Sequence, residues 1–400
     1  MSHDEGLWAA LPPPPPSLRA IVVLPARNEA AHLPASLAAL SAQVADDGTA
    51  LDGSLFEVLL LANNCDDTSA EVARRFAAAR CGFRLHVIEA SLPPQQANIG
   101  YVRRQLMDQA AGRLESIGRP EAAIVSTDAD TRVAPDWLAA NWRELDQGSD
   151  AVGGRILTDA SVPSSPAALR IRRIDAAHAL LRSRLASLLD PQPFDPWPRH
   201  HQHFGASLAV TAAAYRSAGG VPDVPYLEDE ALVRALKRAD LRVRHSPHVR
   251  VVTSSRLDGR AAVGLSWQLR QWADARPSLH DPLVEDPRRY AHALAARAVL
   301  RQLWQRHAES LAPHLPANLE SSLGVPPGSV LLTAASARSF GAFWQDLDSQ
   351  RSVAGSTDEP LAQITISQAL VALRSLIRQY ESERTDRTGF TQAASKMSMR

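Results

Sequence analysis

The chain has 400 residues, 45% of them hydrophobic, and its 43 Lys and Arg balance its 43 Asp and Glu. That length suits one large α/β domain with an appendage, or two domains, and the zero formal charge lacks the basic excess of a nucleic-acid binder. Two cysteines, Cys65 and Cys81, without CxxC spacing or a His/Cys cluster, argue against a disulfide framework and a structural zinc site and for a reducing compartment.

The first 20 residues lack the basic and apolar regions of a signal peptide. No window nears the roughly 18 uninterrupted apolar residues of a spanning helix, so a cytoplasmic protein is expected. Pro12 to Pro16 form a stiff polyproline spacer closing a flexible tail over residues 1–19. "AIVVLPARNEA" from Ala20 is a compact apolar strand stopped by Pro25; Leu33, Leu37 and Leu40 then follow at helical spacing. "FEVLLLANNCDDTSAEVARRFAAA" (Phe56–Ala79) repeats the plan, with a buried-type strand over Val58–Ala62, a polar turn and a helix from Thr68 or Ser69. Phe83–Ala90 reads as a third strand, Gln96–Leu114 as a helix, and "AAIVSTDAD" from Ala122 as a fourth strand.

This alternation predicts a parallel sheet with helices on both faces. Such sheets bind ligands at the carboxyl ends of their strands. The polar clusters Arg27-Asn28-Glu29, Asn63–Asp67 and Asp128-Ala129-Asp130 fall there. Two like charges one residue apart at the end of a buried strand suit either a cation between them or a pair of turn caps. Past Ala151, "AVGGRILTD" reads as an edge strand and Ala167–Leu189 as a long amphipathic helix. A polar loop carries His200, His201 and His203; a strand over Ser207–Thr211 follows, then a helix over Asp229–Arg238. Trp137 and Trp142 read as core, and Trp197 as a candidate for stacking on a ligand. The chain turns helical again after Pro277, and residues 381–400 read as disordered.

Four segments, in order, resemble the signatures of family 2 glycosyltransferases. "VVLPARNEAAHLPASLAAL" resembles the opening P-x-x-N-E strand and helix, and "LLLANNCDDTSAEVARRF" the N-N-x-x-D-x-T turn. "TDADTRVAPDWL" resembles the D-x-D strand end with P-x-W-L, and "FGASLAVTAAAYRSAGGVPDVPYLEDEALVRAL" the acceptor-side segment ending in an E-D pair. The resemblance runs from about Ala20 to Trp272. It implies an α/β chain of the GT-A fold: a Rossmann-like, mostly parallel sheet with helices on both faces, plus a helical C-terminal extension. The domains expected are a catalytic domain over 20–275, with a nucleotide-sugar-binding half (20–150) and an acceptor-binding half (151–275), and an extension over 276–380 that could serve a homodimer. The processive, membrane-embedded members carry Q-x-x-R-W, whereas "QLRQW" (Gln268–Trp272) has Gln271 in place of the arginine. This and the lack of a transmembrane segment imply a soluble, non-processive member.

The resemblance implies transfer of a sugar, expected to be a hexose moved with inversion, from a nucleotide-diphosphate sugar to a small-molecule or lipid-linked acceptor hydroxyl. Pro25, Ala26, Arg27, Glu29, Asn64 and Asp66 would meet the nucleotide. Arg103 would reach the diphosphate, or be a solvated helix arginine. A divalent metal, Mg²⁺ or Mn²⁺, would act as Lewis acid on Asp130 directly, with Asp128 contacting it through water or holding the ribose. The family's further histidine ligand has no counterpart in "VRVVTSSR", which leaves His245 and His248 a few residues earlier, with His248 taken as the candidate. Asp229 would be the catalytic base and Glu228 its acceptor-binding neighbour. Each acid also has a plainer reading: Glu29 in the first turn of a helix, Asp66 or Asp67 at a helix start, and 228–230 as N-terminal caps. A nucleotidyltransferase of similar fold would want a Gly-rich phosphate loop, absent from "LPARNEAAHLP", and a dehydrogenase would want G-x-G-x-x-G. A non-catalytic scaffold of the same fold would be expected to have lost one of Asp128, Asp130 and Asp229.

Overall fold

The computed structural model describes residues 3–79, 82–159, 166–256, 264, 267, 281–307, 311–354 and 363–397. "QLRQW" lies outside the described residues. The chain divides into two compact units, Met1–Ser164 with Gln202–Asp274, and Ser165–His201 with Ala275–Arg400.

In the first unit, β1 (Ala20–Ala26), β2 (Phe56–Asn63), β3 (Arg84–Ala90), β4 (Ala123–Ser126), β5 (Thr131–Val133), β6 (Ala151–Thr158), β7 (Leu208–Thr211) and β8 (Val243–Thr253) form one sheet. Its order is β3-β2-β1-β4-β7-β6-β8-β5. β3, β2, β1 and β4 run parallel. β7 reverses against β4 and β6, and β5 against β8, while β6 and β8 are parallel. β6, expected at an edge, therefore lies inside the sheet; the edges are β3 and the short β5, which the sequence did not announce as a strand.

The helices of this unit are α1 (His3–Trp8), α2 (Leu33–Ser41), α3 (Ser69–Ala78), α4 (Ile99–Ser116), α5 (Trp137–Asp146) and, later in the chain, α7 (Ala212–Ser217) and α8 (Glu228–Arg238). β1 and β2 are buried at every position. Their continuous apolar runs are what a strand covered on both faces requires. Alternate side chains point to opposite faces. Ile21, Val23, Leu59 and Leu61 meet Val102, Leu106, Ala110 and Leu114 of α4 in one core. Val22, Leu24, Val58 and Leu60 meet Leu33, Leu37 and Leu40 of α2 and Trp137 of α5 in the other. Each such buried side chain contributes about 1.5–3 kcal/mol. α4 starts where Asn98 accepts the Tyr101 amide at 2.9 Å. A Cβ on Gly100 would stand 1.7 Å from the Val224 carbonyl oxygen, so only glycine lets the 224–225 segment lie on the helix start.

The expected flexible tail is docked. Leu7, Trp8 and Leu11 pack against the α4 core, and the Pro12 carbonyl accepts from Arg113 Nη1 at 2.9 Å. Arg113 also grips Glu57, fully buried on β2, through Nε at 2.6 Å and Nη2 at 3.0 Å, with His86 Nε2 at 3.2 Å.

The second unit holds α6 (Pro166–Leu189), α9 (Pro287–His307), α10 (Leu319–Leu323), α11 (Ser329–Ser336), α12 (Phe340–Ala354), α13 (Ile366–Met397) and an antiparallel pair, β9 (Leu283–Glu285) with β10 (Gln363–Thr365). Leu185 of α6 packs with Leu294 of α9 and Leu373 and Ile377 of α13. Buried Asp190 receives Arg297 at 2.9 Å and also Arg301. Residues 165–201, read from the sequence as part of the acceptor half, group with these helices. Residues 381–397, read as disordered, continue α13. Among the described residues no helix is long and apolar enough to cross a membrane.

Burial pushes the Glu57 carboxyl up, but the hydrogen bonds and charges of His86 and Arg113 outweigh it and hold the group below its ordinary 4.5. A depressed folded value means stability present above the unfolded value and lost as pH falls through the folded one. Arg113→Met should therefore cost about 3–5 kcal/mol near neutral pH, by stranding a buried carboxylate. Urea melts should show that deficit shrinking as the pH is taken below Glu57's lowered value.

Candidate active site

Because β1, β2 and β4 are parallel neighbours, their carboxyl-terminal loops open on the same edge of the sheet. Asn28 (φ 54°) and Asn64 (φ 48°) turn the first two loops through the left-handed region, which asparagine tolerates better than most residues. The loops are sewn together: the Asp66 amide donates to Asn28 Oδ1 at 2.7 Å, the Ala30 amide to Asp67 Oδ2 at 3.0 Å and the Glu29 amide to Ser69 Oγ at 2.6 Å. Asp67 is thus the brace at the helix start, and the exposed Asp66 has one long contact, 3.5 Å from Asn28 Nδ2. Asn64 bonds both Leu92 backbone groups, tying β2 to the loop after β3. Pro25 and Ala26 are buried within β1, while Arg27 is exposed and reaches the Ala97 carbonyl at 3.4 Å.

Each carboxylate of the Asp128-Ala129-Asp130 turn meets an arginine. Arg103 is buried, 3% exposed, and no solvated helix residue. Its Nη2 donates to Asp128 Oδ1 at 2.8 Å, its Nε to Glu228 Oε1 at 2.7 Å, and its Nη1 to Ser126 Oγ and the Gly205 carbonyl. Burial opposes its charge, yet Asp128, Glu228 and Asp229 hold its pKa above the ordinary value. Burial pushes the Glu228 carboxyl up, and Arg103 pulls it back. Asp130 Oδ2 lies 3.1 Å from Arg256 Nη2. The same guanidinium grips Glu29, through Nη1 to Oε2 at 2.8 Å and through Nη2 to Oε1. Burial, with Asp128 close by, raises the Asp130 carboxyl to about 6 although Arg256 works against it.

The three acids that open α8 do not crowd. Glu228 goes to Arg103; Asp229 Oδ2 accepts the Gly205 amide at 2.7 Å and its Oδ1 the Glu230 amide at 2.8 Å; Glu230 Oε2 lies 3.1 Å from His203 Nε2. His203 Nδ1 in turn lies 3.1 Å from His245 Nε2. Of the histidine run, His203 is the member drawn into this network. Trp137 and Trp142 are buried as expected; Trp197, in the second unit, has Arg184 over its ring at 4.9 Å.

His248 is not at the acid pair. β8 lies antiparallel to β5 with Thr253 opposite Thr131, so Asp130 is met by the Thr253 hydroxyl at 3.4 Å and the Ser254 amide. His248 is exposed and lies in the irregular stretch of β8 between Ser246 and Arg250, before the segment that pairs with β5. The residue that strand β8 delivers to Asp130 is Arg256, which the motif reading passed over because its partners lie far off in sequence. Arg103 holds one oxygen of Asp128 and Arg256 lies against one of Asp130, and among the described residues no three His, Cys, Asp or Glu are placed to hold a metal. With Arg256 in place, a divalent cation on Asp130 would share that carboxylate with the guanidinium.

Residues 21–190 match the family model "Glycosyl transferase family 2". Over that segment, under half of the chain, the sequence matches the family that its motifs resemble. The match ends before the acceptor-side segment that holds Asp229. The chain is similar to the solved mannosyltransferase PcManGT from Pyrobaculum calidifontis in complex with GDP-Man and Mn²⁺, at 17% identity over 92% of this chain and 89% of that one, TM-score 0.43. It is similar to S. aureus TarS 1-349 in complex with UDP, at 13% identity over 92% of each chain, TM-score 0.42. A third similar structure is glucosyl-3-phosphoglycerate synthase from Mycobacterium tuberculosis in complex with phosphoglyceric acid, at 16% identity over 70% of this chain and 86% of that one, TM-score 0.36. No curated protein matches the chain.

A Cβ on Gly205 would stand 2.5 Å from the Arg103 guanidinium carbon. Gly205→Ala should therefore displace the guanidinium and cost about 1–3 kcal/mol, and Arg103→Leu, which strands Asp128 and Glu228, about 3–5 kcal/mol. Denaturant unfolding of the two single variants and the double variant checks this; the costs should not add, since both act on one network.

Proposed function

We propose that the protein transfers a sugar, a hexose, from a nucleotide-diphosphate sugar to an acceptor hydroxyl with inversion at the anomeric carbon. The family 2 segment supplies the reaction class. The observation that carries the reading is the convergence of the turn after β4 with α4 and α8 on one ion network, Asp128–Arg103–Glu228, beside Asp229.

The nucleotide lies along the loops after β1 and β2. Glu29 and Asp66 are carboxylates able to accept from base N–H or ribose hydroxyls, Asn64 holds its loop in register, and Arg27 is exposed beside them. Pro25 and Ala26 line the floor with backbone. Asp128 keeps an exposed face, 35% of its side chain, while Arg103 fixes its orientation. In this reading Arg103 positions Asp128 rather than touching the diphosphate, and Glu228 positions Arg103 rather than binding acceptor.

Asp229 takes the proton. Two backbone amides, those of Gly205 and Glu230, fix its carboxylate at the start of α8, and an ionised carboxylate has lone pairs to spare beyond those two bonds. As the acceptor oxygen attacks the anomeric carbon, its proton passes to Asp229 and the bond to the diphosphate breaks on the opposite face. Glu230 and His203 stand beside it, able to orient a polyhydroxylated acceptor.

Removing a general base costs about 10²–10⁴ in rate. Asp229→Asn should lose that much in kcat while binding of nucleoside diphosphate stays unchanged. The check is a transfer assay over a panel of nucleotide sugars and hydroxyl acceptors, alongside calorimetry. An Asp229→Asn enzyme with wild-type turnover would remove Asp229 from the chemistry.

A further inference from the structure

A nucleoside diphosphate departing from a sugar needs positive charge where it leaves, and the arrangement of Arg256 answers that need without a metal. We propose that Arg256 is the resident cation of the donor site: its guanidinium, in place of a divalent ion, receives the diphosphate and meets the charge that develops on it. This rests on the nucleotide-sugar reading above and deepens it.

Three observations carry the assignment. First, the β5–β8 register ends β8 beside Asp130, so Arg256 is delivered by a sheet strand at the acid turn. Second, the guanidinium spans two strand ends, with Glu29 after β1 on one side and Asp130 after β4 on the other. A ligand at the carboxyl ends of a parallel sheet lies against such neighbouring strand ends. Third, Arg256 keeps 24% of its side chain exposed although three carboxylate oxygens engage it. A planar fork of five donors can hold carboxylates along one edge and phosphate oxygens with the rest, and Arg is suited to bidentate phosphate recognition. A divalent ion on Asp130 would sit within a few ångströms of this fixed positive charge.

The step balances with the groups in hand. The acceptor oxygen forms its bond to the anomeric carbon and gives its proton to Asp229. The bond from that carbon to the β-phosphate oxygen breaks with both electrons staying on oxygen. The nucleoside diphosphate leaves with one more negative charge, which the Arg256 N–H groups meet by hydrogen bonding.

The test is calorimetric titration of the full chain with uridine, guanosine, adenosine, cytidine and thymidine diphosphates, each in EDTA and in Mn²⁺, with thermal melts as the folding control. Wild type should bind one of them in EDTA within about twofold of its affinity in Mn²⁺. Arg256→Ala should lose roughly 10–100-fold in EDTA, the worth of one or two charged hydrogen bonds, and regain much of it with Mn²⁺. Arg256→Lys should recover part of the loss in EDTA. Wild-type binding that requires Mn²⁺, or undiminished binding by Arg256→Ala in EDTA, overturns the arginine assignment and leaves the donor reading standing. Folded wild type that binds no nucleotide in either buffer overturns both.

Discussion

One buried guanidinium holds the two halves of the candidate site in register. Arg103 sits in α4, in contact with Asp128 at the end of β4 and with Glu228 at the start of α8. With two carboxylates on it and a hydroxyl and a carbonyl beside them, four of its five N–H groups are engaged, as a buried charge requires partners. Such a network is weak evidence for stability, since an apolar replacement can pack as well. Its geometric consequence is stronger. The carboxylate expected to face the donor and the helix that carries the expected base cannot move independently, because both lean on the same planar group. Gly205 completes this coupling from a third direction, its carbonyl on Arg103 and its amide on Asp229.

The sheet was legible in the sequence where the signal is local. β1, β2 and β4 are short apolar runs ended by polar clusters, and the Leu33, Leu37 and Leu40 stripe lies on the core as its spacing predicts. β6 was misread as an edge because its Gly153-Gly154 pair looks like a weak strand. In the fold those glycines admit close neighbours: a Cβ at 154 would stand 2.1 Å from Ser207 Oγ. The same absence of side chain that suggests an edge in sequence permits close packing in space. The N-terminal arm was misread for a related reason. Its prolines speak of stiffness, whereas its attachment depends on Leu7, Trp8, Leu11 and Arg113, about a hundred residues away along the chain.

The candidate acids were legible as residue types at strand ends, and their partners were not. Glu29 and Arg256 are separated by 227 positions, Arg103 and Glu228 by 125. No spacing rule reaches across such intervals; only the strand order and the β5–β8 register bring them together. That is also why a histidine near "VRVVTSSR" was a reasonable expectation, whereas the side chain placed against Asp130 is Arg256. A strand advances more than 3 Å with each residue, so a displacement of a few positions removes a side chain from the site altogether.

The electrostatics around the turn follow from how its charges are distributed. Four acids, Glu29, Asp128, Asp130 and Glu228, share two arginines, and Asp130 is the more enclosed of the turn's two aspartates. Asp130 shares Arg256 with Glu29, which takes the bidentate grip, while Asp128 has Arg103 at short range and water on its open face. Burial then raises the Asp130 carboxyl towards neutrality, an effect Asp128 adds to. A site built this way does not repel an incoming diphosphate as strongly as its count of acids suggests. Asp130 is raised by burial first and by its motif neighbour Asp128 second, and Arg256, shared with Glu29, only partly offsets them.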